Sequence, residues 1–274
     1  MKEFLKAILF LTILQLIVMA SGKCEEPGSQ EQFGSFTIEG TDTPFVFPGA
    51  YYSALIRLDS LTATKLSGFN LLIAYDTSQL TFNDFIIGET FFCWDIFEYE
   101  LLDPEDCGDS CSTKLIRITA ANSRNSNDYC EAADGLFDSF PVEIAKIKFW
   151  IANKMEFNCT LLKLSFYWQN CLDNRINLAQ SNVQFFGRKV YGCEKADSMR
   201  FRITTDLLAA PDDSIDSDDH FYGANHACIP RNTVNGRPVA VHYLDFHNGG
   251  FAVACAEKID SRGVMNLNYP SIEP

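Results

Sequence analysis

Residues 67–82, SGFNLLIAYDTSQLTF, decide the fold of this 274-residue chain. Large apolar side chains occupy every second position in the first half of the stretch, at Phe69, Leu71, Ile73 and Tyr75. In an extended strand this spacing places all four side chains on one face. Residues 76–78 then supply turn-forming side chains, and residues 80–82 begin a second strand. A half-buried strand, a tight corner and another strand are the parts from which β-sandwiches are built.

The same alternation recurs along much of the chain. Between residues 145 and 151 apolar side chains alternate with lysines, and residues 162–168 repeat the pattern against Lys163, Ser165 and Tyr167. Further strands are predicted at residues 33–39, 53–58, 91–99, 115–121, 183–191 and 199–203. Because no window of a dozen residues shows helical periodicity, the sequence predicts an all-β antiparallel sandwich, of jelly-roll or immunoglobulin-like type, with about nine strands.

A β-hairpin extension is predicted after this sandwich. Residues 239–246 and 251–256 are strand-like, and the Asn248-Gly249 pair between them is the strongest short hairpin signal in the chain. The predicted organisation is a sandwich over residues 25–193, an acidic loop with the hairpin over residues 194–258, and a terminal segment over residues 259–274.

The first twenty-two residues have the pattern of a cleaved signal peptide. Lys2 and Lys6 precede an apolar stretch, AILFLTILQLIVMA, over residues 7–20. Those fourteen residues are fewer than the ~20 that a bilayer core requires, and the small residues Ala20 and Gly22 suit signal peptidase. We therefore expect a secreted protein, extracellular or periplasmic, with no membrane span in the mature chain. An uncleaved anchor is the alternative interpretation.

Cysteine usage agrees with export. The chain has 10 cysteines and no Cys-x2-Cys pair, which favours disulfides over a zinc site. If consecutive strands run antiparallel, Cys130 and Cys171 fall at one end of the sandwich, and Cys107 and Cys111 fall at the other. The predicted disulfides are Cys107–Cys111, Cys130–Cys171 and Cys228–Cys255.

The charge of the chain restricts its partners. The net charge is −14, and removal of a signal peptide that carries two lysines and one glutamate leaves −14 − 1 = −15. An acidic surface argues against nucleic acid as a partner, because nucleic acid rewards clustered Lys and Arg. It also disfavours anionic membrane surfaces. Solubility is the simpler explanation of the charge.

One acidic run has two interpretations. Between residues 211 and 219 five aspartates stand close together, at Asp212, Asp213, Asp216, Asp218 and Asp219. Clustered carboxylates are ligands that calcium prefers, so a calcium loop is one interpretation. The run lacks the glycine and closing glutamate of an EF-hand loop, and a solvated acidic loop is the other. No other cofactor is expected.

Four segments, taken in order, resemble cohesin-like modules of bacterial secreted and cell-surface proteins. These are residues 55–61 (LIRLDSL), 67–82, 115–122 (LIRITAAN) and 144–151 (IAKIKFWI), and the resemblance covers residues 33–192. It implies a non-catalytic β-sandwich that binds another exported protein in an extracellular or cell-surface assembly, as cohesins bind dockerins. The acidic insert 102–111 and the long loop 122–140 depart from the family pattern and would remodel the face that cohesins use.

The last segment resembles the opening of a dockerin-type calcium repeat. Asn266 and Asn268 occupy the third and fifth ligand positions, but Val264 stands where the family has aspartate and Tyr269 replaces the glycine. We expect this stub to bind no calcium. A degenerate relic and an ordinary polar tail both remain as interpretations.

No sequence motif indicates catalysis. The 4 histidines form no HExxH or similar set, and no nucleophile elbow, P-loop or Rossmann pattern occurs. The sequence therefore predicts a protein that is not an enzyme. Protein binding is the first function hypothesis. Carbohydrate binding is the alternative, because sugar platforms need exposed aromatic rings, for which Trp94, Tyr99 and Tyr167 are the candidates.

Overall fold

The structure is a computed structural model. It describes residues 33–40, 45–62, 66–104, 112–122, 137, 139–157, 159–169, 173–178, 183–197, 200–207, 233–234, 237–238 and 240–254. The predicted signal peptide, the acidic run and the terminal stub therefore lie outside the described residues. In the described part of the chain, no helix has both the length and the apolar character that spanning a bilayer requires.

The described residues are almost entirely extended. The strands are β1 Gly34–Glu39, β2 Tyr51–Leu61, β3 Leu66–Asp76, β4 Leu80–Ile87, β5 Ile96–Leu102, β6 Thr113–Ala121, β7 Val142–Ile151, β8 Leu161–Phe166, β9 Arg175–Leu178, β10 Val183–Asp197, β11 Arg200–Leu207, β12 Thr233–Val234, β13 Arg237–Pro238, β14 Ala240–His247 and β15 Gly249–Ala252. Two short 3₁₀ helices are formed by Glu89–Phe91 and Met155–Phe157.

Two sheets form the sandwich. The larger has the strand order β11-β10-β14-β1-β2-β7-β4, and the smaller has the order β15-β8-β3-β6-β5, with β9 also paired to β3. The all-β sandwich that the sequence predicts is confirmed. The pairing is not wholly antiparallel, because β14 runs parallel to both of its neighbours, β1 and β10. The short β9 was missed by the sequence reading, since its four residues are too few for a periodic signal.

Alternation in β3 places the predicted side chains in the core. Phe69, Leu71 and Ile73 are at most 2% exposed, and they lie opposite Ala120, Ile118 and Ile116 of β6. The corner that follows β3 is closed by Asp76, whose carboxylate accepts a hydrogen bond from the Ser78 backbone N–H at 2.8 Å. The chain then leaves the smaller sheet and enters the larger one as β4.

The larger sheet buries the opposite side of the same core. In β2, Ala54, Ile56 and Leu58 are fully buried while the residues between them are partly exposed. In β7 the same holds for Ile147 and Phe149. Aromatic rings fill much of the space between the sheets, with the fully buried residues Phe36, Phe69, Phe91, Phe149, Phe166, Phe246 and Phe251. These apolar layers account for the cohesion of the two sheets.

The predicted hairpin at Asn248-Gly249 is wrong. β14 lies in the larger sheet between β10 and β1, whereas β15 pairs antiparallel with β8 in the smaller sheet. The chain therefore crosses the sandwich at Asn248 instead of folding back. Asn248 supports the crossing, because its side-chain oxygen accepts a hydrogen bond from the Phe166 N–H at 2.8 Å. Its own N–H donates to the Tyr191 carbonyl at 2.7 Å.

The two sheets end on the same side of the sandwich. β4 is the last strand of the larger sheet and β5 the last strand of the smaller one. The rings of Phe85 from β4 and Phe97 from β5 lie 6.2 Å apart. This side of the sandwich positions the surface described next.

Candidate protein-binding surface

Exposed apolar side chains concentrate around β5. Six large apolar side chains of the described chain are exposed, and four of them belong to β5 or to the turn before it. We call this region, together with the two exposed glutamates of the strand, the β5 surface; its residues are Phe92, Ile96, Glu98, Tyr99, Glu100 and Leu101. Contiguous exposed apolar area on a folded protein commonly marks an interaction site.

The inner side of β5 is anchored by aromatic contacts. Phe97 packs against Phe69 at 5.9 Å and against Phe91 at 5.6 Å between ring centroids. Tyr99 lies opposite the buried Ile118 and so faces the core side of the sheet. Its ring stacks on Phe85, but it is 44% exposed because no further strand follows β5 in the described sheet. The strand is therefore held in place from one side and open on the other.

The outer side of β5 carries negative charge. Glu98 lies opposite Thr119 and Glu100 lies opposite Arg117 on β6. In the part of the chain that the structure describes, neither glutamate forms an ion pair. Arg117 instead lies 3.8 Å from the buried carboxylate of Asp173. The acidic character of β5 is thus not neutralised by the arginine beside it.

A buried polar segment borders the outer face of β3. Asn174 is 1% exposed and has a positive φ of 53°, a conformation that asparagine tolerates better than most residues. Its side-chain oxygen accepts a hydrogen bond from the Leu72 N–H at 2.8 Å, and its amide donates to the Tyr167 carbonyl at 2.7 Å. Asn174 therefore joins β3 to the end of β8 at the point where β3 exchanges β8 for β9 as a neighbour.

Two titratable groups have shifted pKa values. Burial raises the pKa of the Tyr75 hydroxyl, and the charge of Asp103 raises it further. Burial lowers the pKa of Arg175, an effect that the nearby Asp173 opposes. Tyr75 is on the core face of β3, whereas Arg175 pairs with Asn70 on the other face. The two groups do not converge on one site.

Only one of the three aromatic candidates belongs to the exposed surface. Trp94 is 6% exposed and packs against Phe69 and Phe91, so its proposed role in a sugar platform is corrected to core packing. The aromatic run continues through a 3₁₀ helix and a turn, and this conformation directs Trp94 inward. Tyr99 belongs to the β5 surface, with one ring face covered. Tyr167 is half-buried at the end of β8.

A partly exposed aromatic pair on the larger sheet was missed. Tyr51 is 50% exposed and lies opposite Trp150 on the outer face. The ring centroids are 4.8 Å apart with planes at 62°, and the Lys148 ammonium lies over the Tyr51 ring. Both residues stand at positions of their strands where the alternating pattern predicts a polar, outward-facing side chain. An aromatic residue at such a position is the sequence signal that would have identified the pair. Their rings are not coplanar, so the pair does not form a flat platform.

The residues of the metal and disulfide predictions are not among those that the structure describes. Asp212, Asp213, Asp216, Asp218 and Asp219, and likewise Cys107, Cys111, Cys130, Cys171, Cys228 and Cys255, all lie outside the described residues. Within the described ranges no group of His, Cys, Asp and Glu is placed to hold a metal ion. Cys93 and Cys159 are both disulfide-bonded. The three predicted pairs stay predictions.

Comparison with known proteins gives distant structural similarity. No protein-family model matches the chain, and no curated protein does. Cohesin modules recur among the solved structures that it resembles. The sixth cohesin of scaffoldin B from Acetivibrio cellulolyticus, solved in complex with a dockerin, is 12% identical at a TM-score of 0.34, with 49% of this chain and 82% of that chain covered.

Two further structures have the same level of similarity. The seventh ScaB type I cohesin from Pseudobacteroides cellulosolvens is 9% identical at a TM-score of 0.37, over 84% of this chain and 97% of that chain. The cohesin module of a family 33 glycoside hydrolase from Clostridium perfringens is 14% identical at a TM-score of 0.32, over 49% and 79%. Similarity at this level says nothing about which ligand or partner this chain binds.

Proposed function

We propose that this chain is a non-catalytic, exported binding module that recognises another protein through the β5 surface. The observation that carries the proposal is the concentration of exposed apolar side chains there. Phe92 is 66% exposed, and Ile96, Tyr99 and Leu101 are each exposed by more than two fifths. Exposed apolar side chains that are concentrated in one region are typical of protein interaction sites.

The acidic side chains of the surface indicate the charge of the partner. Glu98 and Glu100 lie on β5 itself, and the acidic insert predicted at residues 102–111 follows directly along the chain. A basic partner surface gains favourable electrostatic steering from this arrangement. The net charge of −14 acts in the same direction.

The extracellular setting is part of the proposal. The signal-peptide pattern of residues 1–22 and the even number of cysteines support it. The disulfides of Cys93 and Cys159 agree with an oxidising compartment. The cohesin-like motifs in residues 55–151 support a partner that is itself exported. Calcium binding by the aspartates of residues 211–219 remains a separate proposal, to be tested by calorimetry with calcium alone.

A matched pair of isoleucines provides the test. Ile96 on β5 and Ile86 on β4 are each 47% exposed. Ile86 lies opposite Lys146 on the larger sheet, and Ile96 opposite Ala121 on the smaller. The oxidised mature protein is immobilised and exposed to the exported proteins of its source, and the captured proteins are identified by mass spectrometry. We expect Ile96→Lys to lose a partner that wild type and Ile86→Lys retain. Equal retention by all three proteins would contradict the assignment of the surface.

Carbohydrate binding is the second candidate, on a different part of the molecule. The observation that favours it is the exposed ring of Tyr51 against the partly exposed ring of Trp150, because aromatic rings can contact sugar faces. A panel of immobilised polysaccharides tests it beside the protein capture. Retention on one polysaccharide that is lost in Tyr51→Ala but kept in Ile96→Lys would replace the protein-binding proposal with this one.

A further inference from the structure

The described edge of β5 differs from two other ends of the sheets, those at β4 and β15. β5 pairs with β6 over seven consecutive residues without a register shift. On the larger sheet, β4 has an irregularity between Phe82 and Asp84. At the far end of the smaller sheet, β15 has only 4 residues, all of them buried. β5 is thus a regular edge with exposed side chains.

Among the described residues, no further strand pairs with the backbone groups on that edge. In an antiparallel pair, every second residue directs its N–H and C=O at the neighbour, and the residues between direct theirs away. Of the seven residues of β5, at least three therefore direct both groups away from β6. The sequence IFEYELL contains neither proline nor lysine, which commonly block strand addition at a sheet edge, and its only charged residues are two glutamates.

We propose that β5 binds its partner by strand addition, and that the added segment is an extended peptide with basic residues at alternate positions and apolar residues between them. The proposal rests on the proposed function and specifies how the β5 surface would be used. Residues that lie opposite each other share a face. Basic side chains would lie beside Glu98 and Glu100 on the outer face, and apolar side chains beside Tyr99 and Leu101 on the inner one.

Charge disfavours a second copy of the chain as the occupant. An antiparallel pairing of two β5 strands centred on Tyr99 places Glu98 of each copy opposite Glu100 of the other. Like charges directly opposite each other destabilise a strand pair, and opposite charges stabilise it. The same glutamates that discourage self-association therefore favour a basic strand.

The rigidity of β5 supports this mode of binding. Phe97 and Tyr99 hold the strand against Phe91 and Phe85, so the strand is already extended before a partner arrives. A preformed template avoids the conformational cost of ordering both strands. Strand addition draws its affinity from main-chain hydrogen bonds and its specificity from alternate side chains.

Synthetic peptides test the proposal. The probe is the acetylated, amidated heptapeptide Val-Lys-Val-Lys-Val-Lys-Val with a fluorophore, and its affinity for the oxidised protein is measured by fluorescence anisotropy at low salt. Two further versions carry N-methyl groups, one on the lysine amides and one on the internal valine amides. Because only one of these two sets would face β5, we expect one methylated peptide to lose binding and the other to keep it. Equal binding by all three peptides, or binding by none, would overturn the proposal.

Charge-reversing substitutions in β5 test the proposal independently of the peptide modifications. We expect the double variant Glu98→Lys/Glu100→Lys to weaken binding of the lysine peptide by at least about fivefold. It should instead bind the peptide in which glutamate replaces lysine. The matched control Asp84→Lys/Glu156→Lys makes the same charge change at exposed positions outside β5 and should leave the preference for lysine intact. A preference that reverses equally in both double variants would show that net charge alone is responsible, and would overturn the proposal.

The two proposals fail separately. If Ile96→Lys loses a captured protein partner while the methylated peptides bind equally, strand addition is wrong and protein binding through the β5 surface stands. If the unmodified protein associates with itself and Glu98→Lys/Glu100→Lys does not change this, the second copy is the occupant and the basic segment is wrong.

Discussion

The Tyr99 ring stacks on the Phe85 ring, with centroids 4.5 Å apart and planes 22° apart. The contact joins β5, the last strand of the smaller sheet, to β4, the last strand of the larger sheet. Phe82 adds a second ring at 5.6 Å from Tyr99. Aromatic contacts between β4 and β5 therefore hold the two sheets together on the side where both sheets end.

This contact predicts the effect of shortening Tyr99. Tyr99→Ala removes the stacked ring, and we expect it to lower the free energy of unfolding by about 1–2 kcal/mol, because an aromatic pair contributes beyond its buried area. Tyr99→Phe keeps the ring and should stay within about 0.5 kcal/mol of wild type. Denaturant unfolding under oxidising conditions measures both. An unchanged midpoint in Tyr99→Ala would show that Phe97 alone holds β5.

Alternation in the sequence predicted which face a residue occupies, but not what covers that face. Phe69, Leu71 and Ile73 are on the core side, as predicted. Leu72 and Leu115 are on the outer face, yet both are fully buried. A single sequence cannot show this, because the burial of an outer face depends on contacts from distant segments. The link from Asn174 to Leu72 spans 102 positions along the chain.

The candidate surface was only partly accessible to sequence reasoning. The strand predicted at residues 91–99 is observed as Ile96–Leu102, because Phe91 and Trp94 enter the core from a helical turn. That shift removes Trp94 from the surface and adds Leu101 to it. Exposure at β5 follows from its place at the end of the sheet, which no local pattern encodes.

The buried side chain of Asn174 should contribute strongly to the stability of the fold. Asn174→Ala removes the hydrogen bonds to Leu72 and Tyr167 and places alanine at a positive φ. We expect a loss of about 2–4 kcal/mol in the free energy of unfolding, because unsatisfied buried groups and backbone strain both contribute. Asn174→Gly relieves the strain but not the lost hydrogen bonds, so it should fall between alanine and wild type. The exposed Asn177→Ala is the control, and a similar loss there would contradict the prediction.

The crossing at Asn248 predicts that alanine is poorly tolerated at the next residue. A Cβ atom at Gly249 would lie 1.9 Å from the Ile38 carbonyl oxygen, and this backbone oxygen cannot move without shifting β1. We expect Gly249→Ala to cost about 2 kcal/mol or more. Gly49→Ala provides a comparison: its φ of +77° strains the backbone, but its nearest contact is a side chain at 3.4 Å. Thermal unfolding of both variants measures the difference, and a smaller effect at Gly249 would argue against the tight crossing.

The raised pKa of Tyr75 leads us to expect a loss of stability at alkaline pH. Burial and the charge of Asp103 raise its pKa above the ordinary value of 10.0, so the folded state holds the hydroxyl proton more tightly than the unfolded state does. This contribution to stability is fully present below a pH of about 10 and is lost as the pH rises through the folded pKa. We expect the free energy of unfolding of wild type to fall more steeply above pH 10 than that of Tyr75→Phe. Asp103→Asn should make the fall smaller, because the folded pKa of Tyr75 then lies closer to the ordinary value. Parallel curves for wild type and Tyr75→Phe would show that Tyr75 does not contribute to the alkaline transition.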